Sequence, residues 1–149
     1  QAATPVRRAE ALLSPQIGLI DAAVAELRAA PETDAAARLT LGDVLLRKGL
    51  VKDAREAYRA VRLVPAEQWQ LDLRKALCLW VEGDSATADD ALAALDRAGD
   101  QPLVKYYLAA VLEQIGRYRE AQSILGGATA DTGPAADLIR RLRIRLEAR

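Results

Sequence analysis

The side chains that most often carry out catalysis or bind metals are scarce in this sequence. It contains no histidine and a single cysteine, Cys78, so no imidazole can act as a base and no zinc site can be built from Cys and His. Ser14, Ser85 and Ser123 lack the flanking glycines of a nucleophile elbow. Gly126-Gly127 is not followed by the Gly-Lys-Ser/Thr of a phosphate-binding loop. We therefore expect a protein that is not an enzyme and uses no metal or other cofactor.

The overall composition points to a helical protein without a charged or membrane-spanning character. Hydrophobic residues make up 51% of the 149 residues, and aromatic residues only 4%. Most of the hydrophobic residues are alanine and leucine, which suit helix-on-helix packing. The numbers of basic and acidic residues are both 21, so net charge favours neither nucleic acid nor a membrane surface. No apolar run is long enough to cross a bilayer. We expect a soluble protein, either cytoplasmic or, after signal removal, periplasmic or secreted.

Small residues recur along the chain with a period that is typical of stacked helical repeats. The glycines are Gly18, Gly49, Gly83 and Gly116, at intervals of 31, 34 and 33 residues. The residues five positions later are Ala23, Ala54, Ala88 and Ala121. The residues seven positions earlier are Ala11, Gly42, Ala76 and Ala109. A period of this length predicts a solenoid, an architecture that exposes a surface to another molecule.

Prolines, capping residues and glycines divide the sequence into units. We predict one domain over residues 1–149, with four helix pairs at about 4–30, 34–64, 66–98 and 102–127 and a final helix at 134–148. This gives nine helices and no strands. The short connections make consecutive helices antiparallel, and a small rotation repeated from pair to pair produces a superhelix with the last helix as its cap.

The second and fourth units resemble the tetratricopeptide repeat. In the second unit the resemblance lies in Gly42, Leu45, Gly49, Ala54 and Tyr58, and residues at the same offsets in the fourth unit match equally well. The third unit departs from the pattern, because Asp72 and Lys75 stand where the family has bulky apolar residues. The orientation of its first helix, 66–82, therefore stays open.

The resemblance implies that the first helix of each pair lines a concave groove that binds a peptide or an amphipathic helix of a partner protein. The groove residues carried over in this way are Leu39, Asp43, Leu46, Arg47, Leu73, Arg74, Leu77, Trp80, Leu103, Tyr106, Tyr107 and Glu113. Among them we expect Tyr106 to be an exposed contact residue, whereas Trp80 is either a groove residue or part of the core. The terminal-carboxylate clamp of chaperone-binding repeats is not expected, because the corresponding positions hold Leu39 and Asp43.

Two other functions are compatible with the sequence. The repeats are suited to self-assembly as well, with the groove filled by a segment of this chain or by a second copy, so both a monomer and a weak homo-oligomer are open. The arginine-rich helix at 134–148 allows weak nucleic-acid binding, although cations on the outer side of a docked helix are ordinary solvation. We expect a non-catalytic protein-binding adaptor or scaffold, with no small-molecule substrate and no membrane insertion.

Overall fold

The described part of the chain is entirely helical. A computed structural model describes residues 34–83, 87–128 and 134–149. Its elements are α1 (Ala35–Arg47), α2 (Val51–Arg59), a 3₁₀ turn (Pro65–Glu67), α3 (Gln68–Glu82), α4 (Ala88–Ala98), α5 (Pro102–Gln114), α6 (Tyr118–Gly126) and α7 (Pro134–Glu147). The predicted all-α class is confirmed for these residues. The predicted first helix pair, at 4–30, lies outside them.

Local signals in the sequence determine where several helices begin. The carboxylate of Asp34 accepts a hydrogen bond from the backbone N–H of Ala37 at 3.0 Å and so caps α1. Pro102 begins α5, where its missing N–H is not needed. The prediction is less accurate for α2, which ends at Arg59 rather than near Pro65. The following residues still reach the core, because Val61 is buried.

Two of the recurring glycines make the same turn. Gly49 and Gly116 have φ angles of 78° and 83°, in the left-handed region that favours glycine. At each turn the glycine N–H donates to the carbonyl three residues earlier, and the next N–H donates to the carbonyl five residues earlier, which is a Schellman motif. Gly83 differs, with φ of −79° and an extended backbone, so the third unit does not share this turn.

Each helix packs against the next one along the chain. Contacts join α1 to α2, α2 to α3 and so on to α7, and the most extensive contacts between non-consecutive described helices join α5 to α7 and α1 to α3. Three pairs result, α1–α2, α3–α4 and α5–α6, in the positions of the predicted second, third and fourth units. The helix α7 packs on both members of the last pair. No described helix is both long enough and apolar enough to cross a lipid bilayer.

In the described units, the small residues five positions after and seven positions before the recurring glycines are buried. Ala54 and Ala121 have no exposed surface, and neither do Ala76 and Ala109. A Cβ atom added to Gly42 would lie 2.6 Å from Cδ1 and 2.7 Å from Cζ of the Tyr58 ring, and closer still to Cε1. The glycine therefore leaves the space that this ring fills, and α1 and α2 approach closely at that point.

Candidate functional site

Three helices, α1, α3 and α5, surround a small cavity of about 70 Å³. These are the first helices of the three described pairs. The lining residues are Asp43, Leu46, Arg47, Leu73, Arg74, Leu77, Leu103 and Tyr107. All eight belong to the predicted groove, so the structure brings two thirds of the twelve predicted residues to one place. Whether this place binds a partner stays a prediction.

Helical spacing explains why these side chains converge. Asp43, Leu46 and Arg47 lie at positions i, i+3 and i+4 of α1, which share one helix face. In α3, residue 77 lies four positions after residue 73 and three after residue 74, and the two lining residues of α5 are four positions apart. Each helix therefore presents one stripe to the cavity, and the stripes combine apolar and charged side chains.

A bidentate ion pair between Asp43 and Arg74 connects α1 to α3 at the cavity. Arg74 Nε donates to Asp43 Oδ1 at 2.8 Å and Nη2 donates to Oδ2 at 3.0 Å. The side chains are 38% exposed for Asp43 and 18% exposed for Arg74, so both are partly withdrawn from water. Burial alone would lower the pKa of Arg74, but hydrogen bonding to Asp43 raises it above its ordinary value. Arg74 thus stays charged and neutralises Asp43.

Tyr58, from α2, completes this network. Its hydroxyl donates to Asp43 Oδ1 at 2.6 Å, and the ring is buried. Burial and the adjacent carboxylate together raise the pKa of Tyr58. The sequence analysis identified Tyr58 as a repeat residue but missed its contact with the candidate site. The sequence signal for this contact is that Gly42, which Tyr58 packs against, directly precedes Asp43.

Arg47 gives the cavity an unbalanced positive charge. Within the described residues it makes no ion pair, whereas Asp43 and Arg74 neutralise each other. Arg47 lies near Tyr107, where its charge acts to lower the pKa of the phenol. Burial, followed by Tyr106 and Asp43, outweighs this effect and raises the pKa of Tyr107 to about 12. The phenol is therefore neutral at pH 7 and the lining carries one net positive charge.

Four of the predicted groove residues do not line the cavity, and all four are buried: Leu39, Trp80, Tyr106 and Glu113. The expectation that Tyr106 is exposed is wrong, because α7 covers this part of α5 and only 7% of the residue is accessible. Trp80 belongs to the core, the other possibility left open by the sequence. Its indole Nε1–H donates to Gln114 Oε1 at 3.1 Å and so connects α3 to the end of α5.

Glu113 also lies beneath α7 rather than on a groove. Its carboxylate accepts hydrogen bonds of 3.1 Å from Nε and Nη2 of Arg145, and Arg149 Nη2 is 4.0 Å away. The side chain of Glu113 is 9% exposed and that of Arg145 is 49% exposed. This ion pair attaches the last helix to α5, so Glu113, predicted as a groove residue, is instead covered by α7.

Most arginines of α7 have partners within the fold. Arg143 Nη2 donates to the backbone carbonyls of Leu125 and Ala128, at 2.7 and 3.2 Å, and Arg140 pairs with Asp137. The guanidinium of Arg149, two residues beyond the end of α7, lies 4.8 Å from the centroid of the Tyr118 ring, a cation–π geometry. These contacts account for the arginine-rich composition of the helix without a nucleic-acid ligand. The nucleic-acid alternative gains no specific support from them.

Comparison with known proteins gave no match to a protein-family model, a curated protein or a solved structure.

Proposed function

We propose that this chain is a tetratricopeptide-like superhelical array that binds a segment of a partner protein on the face formed by α1, α3 and α5, without catalysing a reaction. One observation carries the proposal: eight residues chosen from a resemblance to that repeat line a single cavity. Two further features support it. The turns at Gly49 and Gly116 have the same conformation and hydrogen bonds, and buried small residues recur at the same offsets.

The size of the cavity indicates what it can accept. Small-molecule sites usually enclose roughly 300–1,000 Å³. A cavity of about 70 Å³ has room for one side chain of a larger ligand. Binding by a single anchoring side chain in a desolvated pocket, with the remainder of the partner on the surrounding surface, is common at protein interfaces. A peptide or a helix of another protein meets this requirement.

The charge of the lining indicates which partner segments are favoured. Arg47 can hold a carboxylate through two parallel hydrogen bonds, whereas Leu103 and Tyr107 offer half-buried apolar surface beside it. We therefore propose that the partner segment carries an acidic side chain next to an apolar anchor. The pair of Asp43 and Arg74 positions the helices and does not add net charge to the surface.

Selection from a random peptide library displayed on phage tests this proposal. We expect enriched peptides with an acidic residue next to an apolar one, and we expect Arg47→Glu to weaken their binding at least about tenfold, because one charge-assisted contact becomes a repulsion. Arg119→Glu, an exposed arginine of α6 away from the cavity, is the matched control and should bind like the wild type. Failure to enrich any peptide, or equal binding by Arg47→Glu, would refute the proposal.

A further inference from the structure

A second and larger pocket lies between α2 and α3, apart from the eight-residue cavity. Its volume is about 570 Å³, within the range of small-molecule sites. It is formed by the second half of α2, by the connecting residues 61–63 and by one face of α3. The lining residues are Arg55, Tyr58, Arg59, Val61, Arg62, Leu63, Gln68, Leu71, Lys75 and Cys78. We call it the basic pocket.

Charge is concentrated at the rim of the basic pocket. Four of its described lining residues are cationic, namely Arg55, Arg59, Arg62 and Lys75, and none is acidic. The chain as a whole has equal numbers of acidic and basic residues, so this excess does not reflect composition. Cations from two helices and from their connection converge on one opening. Such an arrangement raises the local concentration of anions.

The four cations are available to a ligand to different degrees. Arg55 pairs with Glu82 and Arg59 with Glu56, at 3.0 and 3.2 Å, but these pairs are solvent-exposed and therefore weak. Arg62 Nη1 donates to the carbonyls of Arg59 and Val61, which fixes the guanidinium, and Arg62 makes no ion pair with a carboxylate in the part of the chain that the structure describes.

Lys75 is exposed at the pocket and makes no ion pair within the described residues. Its ammonium and the guanidinium of Arg62 are thus the charges that a bound anion can neutralise without breaking an existing pair.

The wall of the basic pocket is apolar. Val61 and Leu71 are buried, Leu63 is half-buried, and Cys78 has no exposed surface. Burial raises the pKa of the Cys78 thiol to about 11, so at neutral pH this group adds no negative charge to the wall. Apolar side chains beneath a cationic rim suit a ligand with an anionic head and a hydrophobic body.

We propose that the basic pocket binds a small amphiphilic anion, with a phosphate or carboxylate head held by Arg62 and Lys75 and an aliphatic or aromatic body packed against Val61, Leu63 and Leu71. This ligand is distinct from the partner segment proposed above, because none of these five residues lines the cavity between α1, α3 and α5. Each of the two proposals can therefore fail without the other.

Isothermal titration calorimetry with three octyl compounds tests the proposal. Octyl phosphate and octanoate share a chain but differ in the anionic head, and octyl glucoside has the same chain with a neutral head. We expect at least one of the two anions to bind one site with a dissociation constant below about 1 mM, and the neutral compound to bind at least about tenfold more weakly. The stronger of the two anions shows which head the pocket prefers.

Paired substitutions locate the binding. The double variant Arg62→Gln with Lys75→Gln should weaken binding of the preferred anion at least about tenfold. The double variant Lys52→Gln with Arg119→Gln removes two charges outside the pocket and should bind like the wild type.

Arg47→Glu, which tests the partner-binding face, should also leave binding of the anion unchanged. The proposal is wrong if neither anion binds, if octyl glucoside binds as well as the anions, or if both double variants behave alike.

Discussion

Replacing Gly42 by alanine tests the close packing of α1 on α2. Aromatic and aliphatic carbons normally sit about 3.5–4.0 Å apart, yet the new Cβ would lie 2.6 Å from Cδ1 of Tyr58. The ring would have to retreat by about 1 Å, although it is buried and its hydroxyl is held by Asp43. Because the buried ring cannot easily move, we expect overpacking here to cost about 2–3 kcal/mol, the upper part of the usual range, and helix propensity to return about 1 kcal/mol.

We therefore expect Gly42→Ala to lower the free energy of unfolding by about 1–2 kcal/mol, which corresponds to a fall of roughly 3–6 °C in the melting temperature. Urea denaturation followed by circular dichroism measures the free energy of unfolding. Gly126→Ala is the matched control, because its Cβ would meet nothing within 4 Å and no loss of stability is expected. A Gly42→Ala protein as stable as the wild type would refute the packing argument.

The other described units suggest a variant that should rescue this loss. The positions equivalent to Gly42 and Tyr58 hold Ala109 and Leu125 in the fourth unit. Alanine thus replaces glycine where the facing side chain is leucine rather than the larger tyrosine. In a Tyr58→Leu background we expect Gly42→Ala to be neutral or stabilising. The coupling between the two substitutions should then be about 1–3 kcal/mol, and additive effects would show that the ring is not the obstacle.

Two further predictions concern ionisable groups. Arg145→Ala should destabilise the protein by about 1 kcal/mol more than Glu113→Gln in urea denaturation, because it leaves a buried carboxylate without its main partner, whereas Arg145 is half-exposed and can turn to water. Equal losses would contradict this. Burial keeps Cys78 a neutral thiol up to about pH 11, above its ordinary pKa of 9.0, so its contribution to stability should be constant below pH 9 and lost as pH rises through 11. Between pH 9 and 11 the wild type should lose more stability than Cys78→Ala, and equal losses would contradict the raised pKa of Cys78.

The features that the sequence predicts well depend on a few neighbouring residues. The cap at Asp34, the left-handed turns at Gly49 and Gly116 and the start of α5 at Pro102 each follow from backbone chemistry within one turn. The stripes that line the cavity follow from the helical period once the pairs are in register. These local rules explain why eight predicted residues converge.

The errors concern burial that a distant helix imposes. In the sequence Tyr106 and Glu113 lie on the polar side of α5, away from its leucine and valine stripe, and so look exposed. The structure packs α7 over this side, and Arg145 supplies the charge that Glu113 needs there. The apolar stripe of α7 predicts that it docks somewhere, but its own sequence does not specify which face of α5 it covers.

The candidate site shows how a missing side chain can determine the position of a charged one. Because Gly42 has no Cβ, the ring of Tyr58 fits between α1 and α2, and its hydroxyl reaches Asp43. Asp43 in turn holds Arg74 and so fixes α3 against α1. Within the described residues Asp43 pairs with Arg74 and not with Arg47, so the charge of Arg47 remains for a partner. Enlarging Gly42 should therefore disturb the partner-binding face as well as the stability of the helix pair that contains it.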